Sequence, residues 1–323
     1  MNLTFSDISI VIQGNIGDHQ VFESEILKKY RDISNDIEII FSTWKGTNFS
    51  SKLLDKYIES DDPGALFVYD ELKITNSTAR IMASSKAGLI LSNRPWILKV
   101  RSDIYFENIN WLINYSPVKV PLSSENKLFQ YKVIVPTYFT PNPSRQQVLF
   151  HPGDWFMFGA KSDLISLFSC DLPEEPLFSR FFENKINPRP SNYTWWHKAL
   201  SQYTGEQYPL LMLMKKKNIE IPEHGFIFDK MWKSVHDNVL GTNFDLISGD
   251  SVNLFSLKHK LFYKKLDISS MYTQKEALEL ARTAGYNVEI PKFDWEKFRR
   301  LLYAILDINF IRSMKVLRSF LIK

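Results

Sequence analysis

Short apolar runs alternate with amphipathic stretches through the first hundred residues of this chain. Residues 8–14 and 37–44 are apolar runs rich in β-branched side chains, which predict buried strands. Residues 23–30 and 75–91 are predicted as helices, and residues 96–103 form another apolar run. Strands that alternate with helices in this way predict an α/β fold with a mostly parallel central sheet and right-handed crossovers.

The middle third of the chain is richer in proline and aromatic residues, and its predicted elements are shorter. We expect residues 163–168 to form the start of a helix that follows several short strands. The further predicted strands are residues 65–68, 132–136, 147–150 and 155–159, and the further predicted helices are residues 195–202 and 206–217.

The C-terminal segment has a basic amphipathic pattern. In residues 293–323 apolar side chains recur at helical spacing, with arginine and lysine on other faces. Such a helix either lies on an anionic membrane surface or packs its apolar stripe on the core, and the pattern leaves both open. We expect one α/β domain over residues 1–265 and a helical, basic extension over residues 266–323 that could associate with a membrane.

Composition excludes several classes of protein. The chain has 323 residues and a formal net charge of +4, with no basic stripe interleaved with aromatics, so we expect no nucleic-acid partner. Its one cysteine, Cys170, cannot form an intrachain disulfide, which fits a reducing compartment. Because residues 1–7 lack signal-peptide features and no apolar run is long enough to span a bilayer, we expect a cytoplasmic protein.

Three charged residues stand at alternate positions near the end of the run at residues 96–103. Alternate strand residues share a face, so Lys99, Arg101 and Asp103 are predicted to point the same way. Open α/β sheets bind ligands at the carboxyl ends of their strands, where two cations and a carboxylate able to hold a metal would suit a diphosphate. An edge strand with a surface ion pair would give the same pattern.

Three further residues are candidates for chemistry. Asp154 lies in a turn between apolar segments, where it could be a base or bind an acceptor, or could simply cap the turn. Glu206 could be a second base, or a carboxylate that stabilises a helix start. His259, between Lys258 and Lys260, could bind a metal or phosphate, or belong to a surface basic patch.

Polar residues at other predicted strand and helix ends could contact a nucleotide. Gln13 and Gly14 end the first apolar run, and Thr43 and Trp44 end the second, at positions where a base or ribose often binds. Trp44 could stack on a base, although a core or rim tryptophan is commoner. The chain has no GxGxxG, Walker lysine, HExxH, CxxC, GxSxG or kinase motif.

One face of the predicted helix at residues 75–91 is polar. Asn76, Arg80 and Ser84 are spaced by four, and Gly88 on the same face would allow close approach of another element. This face could present the Arg80 guanidinium to a phosphate, or it could be a solvated surface.

Several of these segments, in their order along the chain, resemble the WavE lipopolysaccharide synthesis family of bacterial proteins. The resemblance runs from about residue 8 to about residue 210. It rests on Ile10-Val11-Ile12-Gln13-Gly14, Ser42-Thr43-Trp44, Asp62-Pro63-Gly64, Asn76 with Arg80 and Gly88-Leu89, Lys99-Val100-Arg101-Ser102-Asp103, Gly153-Asp154-Trp155-Phe156-Met157-Phe158-Gly159 and Glu206-Gln207-Tyr208.

The resemblance implies a sugar transferase of lipopolysaccharide or capsule assembly, with a GT-A-like (Rossmann-like) domain. Its partners would be a nucleotide-sugar donor and an oligosaccharide or lipid-linked glycan acceptor at the inner membrane. In that architecture a carboxylate motif after a central strand holds Mn²⁺ or Mg²⁺ on the donor diphosphate. Asp103 stands at that position, but Arg101 and Tyr105 depart from the common Asp-x-Asp pattern, so a metal-independent or CMP-sugar enzyme stays open.

We assign roles on this basis. Asp103 would act at the diphosphate, Asp154 would be the acceptor-side base with Glu206 as its substitute, and Asp103 and His259 are the candidate metal ligands. The expected donor-binding residues are Gln13, Gly14, Thr43, Trp44, Asp62, Asn76, Arg80, Lys99, Arg101 and Ser102. Two other classes stay open: a nucleotide-sugar hydrolase or phosphotransferase that uses the same strand end, and a non-catalytic protein that binds glycans through its aromatic middle.

Overall fold

The computed structural model describes residues 3–69, 73–188, 199–226, 229–257 and 270–306. The strands are β1 (Ile8–Gln13), β2 (Glu38–Trp44), β3 (Lys56–Ser60), β4 (Leu66–Tyr69), β5 (Ile74–Asn76), β6 (Trp96–Arg101), β7 (Ile104–Phe106), β8 (Val133–Pro136), β9 (Phe156–Ala160), β10 (Phe244–Ile247) and β11 (Leu254–Ser256). The helices are α1 (His19–Phe22), α2 (Lys28–Ile33), α3 (Thr78–Leu91), α4 (Trp111–Asn114), α5 (Lys161–Phe168), α6 (Gln207–Lys216), α7 (Lys230–Asn243), α8 (Gln274–Thr283) and α9 (Trp295–Leu306). A 3-10 turn, Phe5–Asp7, precedes β1, and a π-helical turn, Glu23–Leu27, joins α1 to α2.

A mostly parallel sheet of seven strands lies at the centre of the molecule, in the order β10-β8-β9-β6-β1-β2-β3. Only β9 runs antiparallel to its neighbours β6 and β8 within this sheet. The other strands therefore end at one common edge of the sheet. This arrangement, with helices on both faces, confirms the predicted α/β class and is consistent with a GT-A-like fold.

Both faces of the central sheet are covered by apolar side chains. Successive residues of β1 alternate between two clusters, with Val11 in one and Ile10 and Ile12 in the other. α3 packs on the Val11 face so closely that a Cβ added at Gly88 would lie 2.5 Å from Val11 Cγ1. The long apolar runs of the sequence are thus strands buried on both faces, which is typical of parallel sheets.

Several predicted elements differ from the observed ones. Residues 147–150 do not form a strand, because Leu149 N–H donates to the Gly225 carbonyl at 3.2 Å and Phe150 N–H donates to His236 Nδ1 at 2.8 Å. The helix predicted from residue 75 begins at Thr78, whose N–H donates to Asn76 Oδ1 at 2.8 Å. Of the helix predicted at residues 195–202, residues 199–202 are not helical and the rest lies outside the described residues.

The described part of the C-terminal segment contains two helices, α8 and α9, joined by the non-helical residues 284–294. α8 begins at a capping box formed by Thr273 and Glu276, and its Ala277 and Leu280 join the same apolar core as α7. The expected division of the chain near residue 265 stays a prediction, and residues 307–323 lie outside the described residues. No helix within the described ranges is both long and apolar enough to cross a bilayer.

Candidate functional site

A cavity of about 800 Å³ opens at the carboxyl edge of the sheet. It is lined by the last residues of β1, β2 and β6, by the first turn of α3, and by the loops that precede β9 and α6. Open α/β sheets bind their ligands at this edge. The described lining carries five carboxylates and two guanidinium groups, which belong to Asp18, Asp62, Asp103, Asp154 and Glu206 and to Arg80 and Arg101.

The floor of the cavity is formed where β1 and β6 end side by side. Gly14 has a φ of +117°, which favours glycine, and a Cβ there would approach Ser102 Oγ to 3.2 Å. Ser102 N–H donates to the Gln13 carbonyl at 2.9 Å, and its hydroxyl donates to the Asn15 carbonyl. These bonds hold the turn that follows β1 against the start of the turn that carries Asp103.

Arg101 is the central cation of the cavity. Its guanidinium donates to both oxygens of Asp103, at 3.0 and 3.1 Å, and its Nη1 lies 3.6 Å from Asp154 Oδ1. Burial works to lower the pKa of Arg101, but the carboxylates of Asp154 and Asp103 outweigh it and raise that pKa above its usual value. Asp103 was predicted to lie on the same strand as Arg101. That prediction is wrong, because β6 ends at Arg101 and Asp103 lies in the following turn.

Asp154 presents a carboxylate oxygen that is not committed to a neighbour. The side chain is 2% exposed and lines the cavity, and among the described residues its Oδ2 has no hydrogen-bond partner. The preceding residue fixes the turn, because Gly153 N–H donates to Thr140 Oγ1 at 2.8 Å and a Cβ at Gly153 would lie 2.5 Å from the Tyr138 carbonyl oxygen. A buried carboxylate oxygen without a partner is costly unless a ligand uses it.

A second acid of the cavity is held by a buried histidine. His151 Nε2 lies 3.3 Å from Glu206 Oε2. Burial alone would lower the pKa of His151 and raise that of Glu206, but the attraction between the two groups outweighs it in both cases. The pKa of His151 is therefore raised and that of Glu206 lowered, which favours the ionic form of the pair.

Lys99 lies beneath the cavity and does not line it. Its side chain is fully buried, with Nζ 3.4 Å from the Asp154 carbonyl oxygen and 5.1 Å from the centre of the Phe168 ring. Burial lowers the pKa of Lys99 to about 8, with the nearby Asp154 carboxylate opposing the shift. The side chain therefore adds positive charge under Asp154 without contacting what the cavity holds.

The outer wall of the cavity carries an ion pair at the start of α3. Arg80 donates to both oxygens of Asp62, at 2.7 and 2.5 Å, and this interaction lowers the pKa of Asp62. One turn further on, the Ser84 hydroxyl donates to Gln13 Oε1 at 2.7 Å and fixes the Gln13 side chain. The polar face of the predicted helix therefore faces the cavity.

The structure brings most of the predicted site residues to this one cavity. Thr43 and Lys99 are buried and are not among the described lining residues, while His259 lies outside the described residues. The predicted residues that line the cavity are Gln13, Gly14, Trp44, Asp62, Asn76, Arg80, Arg101, Ser102, Asp103, Asp154 and Glu206. Sequence reasoning missed His151, although it lies three positions before Asp154 in the same turn.

The described donor set does not fit a divalent metal held by protein ligands. Both oxygens of Asp103, the candidate ligand, accept from Arg101, and no group of three or more His, Cys, Asp or Glu among the described residues could hold a metal ion. Oxygen-binding cations such as Mg²⁺ need carboxylates that are free to coordinate them. The Mn²⁺ or Mg²⁺ cofactor stays a prediction, and no step of the mechanism is assigned to it.

Comparison with known protein families connects the chain to lipopolysaccharide synthesis. The model of the WavE lipopolysaccharide synthesis family matches residues 8–306, which includes every described element from β1 to α9. The chain belongs to the WavE lipopolysaccharide synthesis family. No curated protein matches it. WavE membership connects this chain to lipopolysaccharide synthesis, and the cavity at the carboxyl edge is its candidate active site.

Proposed function

We propose that this WavE protein is a glycosyltransferase that moves a sugar from a nucleotide-sugar to a lipopolysaccharide or capsular glycan. The observation that carries the proposal is the convergence of Arg101, Asp103 and Asp154 in one cavity at the ends of parallel strands. A cavity of about 800 Å³ lies within the range of ordinary small-ligand sites and could accommodate a nucleotide-sugar. The arrangement offers cationic donors and a free carboxylate oxygen in a single site.

The donor side of the reaction is assigned to Arg101. When the bond between the sugar carbon and the phosphate oxygen breaks, the electron pair stays on the leaving phosphate. A guanidinium offers several N–H donors in a fixed plane, which matches the geometry of phosphate oxygens. We assign the nucleotide itself to the edge formed by Gln13, Gly14 and Trp44, with Arg80 and Asn76 at the outer wall.

The acceptor side is assigned to Asp154. The acceptor hydroxyl oxygen forms the new bond to the sugar carbon, and its proton passes to a base. We assign this role to Asp154, whose Oδ2 has no hydrogen-bond partner among the described residues. Glu206 is a weaker candidate because His151 lowers its pKa, and a carboxylate with a low pKa accepts a proton poorly. Positive charge that develops on the sugar would be stabilised by the surrounding carboxylates.

A thermal-shift panel tests the donor assignment. Purified protein is melted with UDP, GDP, dTDP and CMP and their sugars, each with and without Mn²⁺. A ligand at one hundred times its Kd adds about 2.7 kcal/mol to the free energy of unfolding, which raises the Tm by a few degrees. We expect one nucleotide to give this shift, and we expect Arg101→Lys to remove most of it, because lysine lacks the planar fork of donors.

The panel also distinguishes the open alternatives. The exposed Lys86→Arg substitution on α3 serves as the control and should leave the shift unchanged. A shift that needs Mn²⁺ and is lost in Asp103→Asn would support the predicted metal role of Asp103. If no nucleotide stabilises the protein but free oligosaccharides do, the transferase proposal is wrong and glycan binding replaces it.

A further inference from the structure

An exposed aromatic patch stands at the beginning of α9. It consists of Phe293, Trp295, Phe298 and Leu301, which are 50%, 71%, 43% and 58% exposed. The rings contact one another, with centroid distances of 4.6 Å for Phe293–Trp295 and 6.2 Å for Trp295–Phe298. Large apolar side chains that are exposed together mark a binding surface more often than chance, whereas single exposed ones do not.

The charged residues around the patch are arranged asymmetrically. Lys292, Lys297 and Arg299 are exposed, whereas the acids Asp294 and Glu296 are half-buried. Asp294 accepts a hydrogen bond from Thr273 Oγ1 at 2.6 Å. The exposed charges beside the aromatic patch are therefore mostly basic, although Arg299 pairs with Asp250 and Lys297 lies 3.8 Å from Glu276 Oε1.

Inward-facing contacts fix the patch at the carboxyl edge of the sheet. Glu296 accepts from Ser248 Oγ at 3.0 Å and from Gln274 N–H at 2.7 Å, and Ser248 directly follows β10. β10 is parallel to β8, and both run in the same direction as β6, because β9 is antiparallel to β8 and to β6. The end of β10 and the cavity at the end of β6 therefore lie at the same edge.

We propose that the aromatic patch docks this edge of the protein on a lipid bilayer that contains anionic lipids. Tryptophan and phenylalanine beside lysine are the side chains that favour the boundary between headgroups and acyl chains. The basic surround complements an anionic leaflet, and the sequence beyond residue 306 adds four basic residues to one acidic residue. A protein partner would need no such excess of positive charge.

Docking in this way would hold the open edge of the cavity close to the membrane plane. An acceptor that is anchored in lipid could then reach the cavity without leaving the bilayer. The aromatic patch lies outside the cavity, and its binding to a bilayer needs neither the sugar donor nor the acceptor. The inference can therefore be tested separately from the proposed transfer reaction.

Vesicle co-sedimentation of the full-length protein tests the proposal. The vesicles contain phosphatidylcholine alone or with a third of phosphatidylglycerol, at low and high salt. We expect binding to the anionic vesicles only, and we expect high salt to weaken it. The double variant Trp295→Ser/Phe298→Ser should bind at least about tenfold more weakly. Lys292→Glu/Lys297→Glu should bind at least roughly 25-fold more weakly, since each basic residue near an anionic surface adds roughly fivefold.

Matched controls remove similar side chains elsewhere. Leu122→Ser/Leu177→Ser deletes two apolar side chains that are 92% and 65% exposed, and it should bind as the wild type does. Far-ultraviolet circular dichroism and the Tm show that each variant is folded. Equal binding by Trp295→Ser/Phe298→Ser and wild type would overturn the proposal, as would binding to neither vesicle. A concentration-dependent dimer that the same variant converts to monomer would assign the patch to self-association instead.

Discussion

The buried pair of His151 and Glu206 makes a pH-dependent contribution to stability that can be worked out in advance. The perturbation is Glu206→Gln, which keeps the size of the side chain and removes its charge. In the wild type, His151 Nε2 and Glu206 Oε2 are 3.3 Å apart, and the Glu206 side chain is only 23% exposed. We expect the substitution to destabilise the protein most where both groups are charged.

The pH window follows from the direction of each shift. The pKa of His151 is raised above its usual 6.5, so its contribution is complete below pH 6.5 and is lost as pH rises through the folded value. The pKa of Glu206 is lowered below its usual 4.5, so its contribution is complete above pH 4.5 and is lost as pH falls through the folded value. Both contributions are complete between these two values.

The size of the effect is set by the Coulomb attraction between His151 and Glu206, reduced by the cost of removing both charges from water. Two unit charges at this separation attract by about 5 kcal/mol at an effective dielectric constant of 20. Breaking a buried pair usually costs about 3–5 kcal/mol, and the partial exposure of Glu206 reduces this. We expect Glu206→Gln to lower the free energy of unfolding by about 2–3 kcal/mol at pH 5.5, and by less at pH 9.5, because the stabilisation from His151 is lost as pH rises through its raised pKa.

Urea unfolding of wild type and Glu206→Gln at the two pH values measures this difference. The double variant His151→Gln/Glu206→Gln completes a mutant cycle at each pH and isolates the pair from other titrating groups. Glu220→Gln, at an exposed glutamate after α6, is the control and should change stability by less than about 0.5 kcal/mol. A penalty for Glu206→Gln that is the same at both pH values would refute the ionic pair.

Three further results are expected from the same structure. Gly88→Ala should lower the free energy of unfolding by about 2 kcal/mol because its Cβ would meet Val11, whereas Gly17→Ala, with no atom within 4 Å, should cost less than about 0.5 kcal/mol in urea. Burial lowers the pKa of Lys99 from 10.5 in the unfolded chain to about 8 in the folded protein, so the unfolded state binds more protons between these values. The free energy of unfolding of the wild type, relative to that of Lys99→Met, should therefore rise by up to about 3 kcal/mol from pH 7 to pH 11. Arg80→Gln should raise the Kd of the preferred nucleotide in calorimetry by at least about tenfold, since a charged hydrogen bond contributes about 1.5–3 kcal/mol. An unchanged Kd would remove Arg80 from the donor site.

The fold class was predictable from sequence because the central strands are buried on both faces. β1 and β6 lie in mostly apolar runs whose length and β-branched content can be read directly from the sequence. The insertion of β9 between β6 and β8 was not predictable, because the order of strands in a sheet depends on contacts between distant segments. Residues 147–150 were mistaken for a strand because their composition suits one, although their backbone bonds go elsewhere.

The candidate site was predictable only in part, because it too depends on contacts between distant segments. Charged residues at the end of an apolar run identified Arg101 and Asp103 as unusual, and the apolar flanks identified Asp154. Their mutual arrangement depends on tertiary structure, since Asp154 enters from the loop before β9 and Arg101 from the end of β6. The pairing of His151 with Glu206 leaves no local pattern in the sequence, so no motif could have revealed it.

The most direct test of the central claim compares sugar transfer by wild type and Asp154→Asn with the nucleotide-sugar that the binding panel selects. Product glycan is quantified by mass spectrometry, and donor Kd is measured for both proteins by calorimetry. We predict that wild type transfers one sugar per nucleotide released, and that Asp154→Asn lowers kcat by about 10²–10⁴ with an unchanged donor Kd. Equal kcat for the two proteins would contradict the assignment of Asp154, and nucleotide release without glycosylated product would contradict the transferase itself.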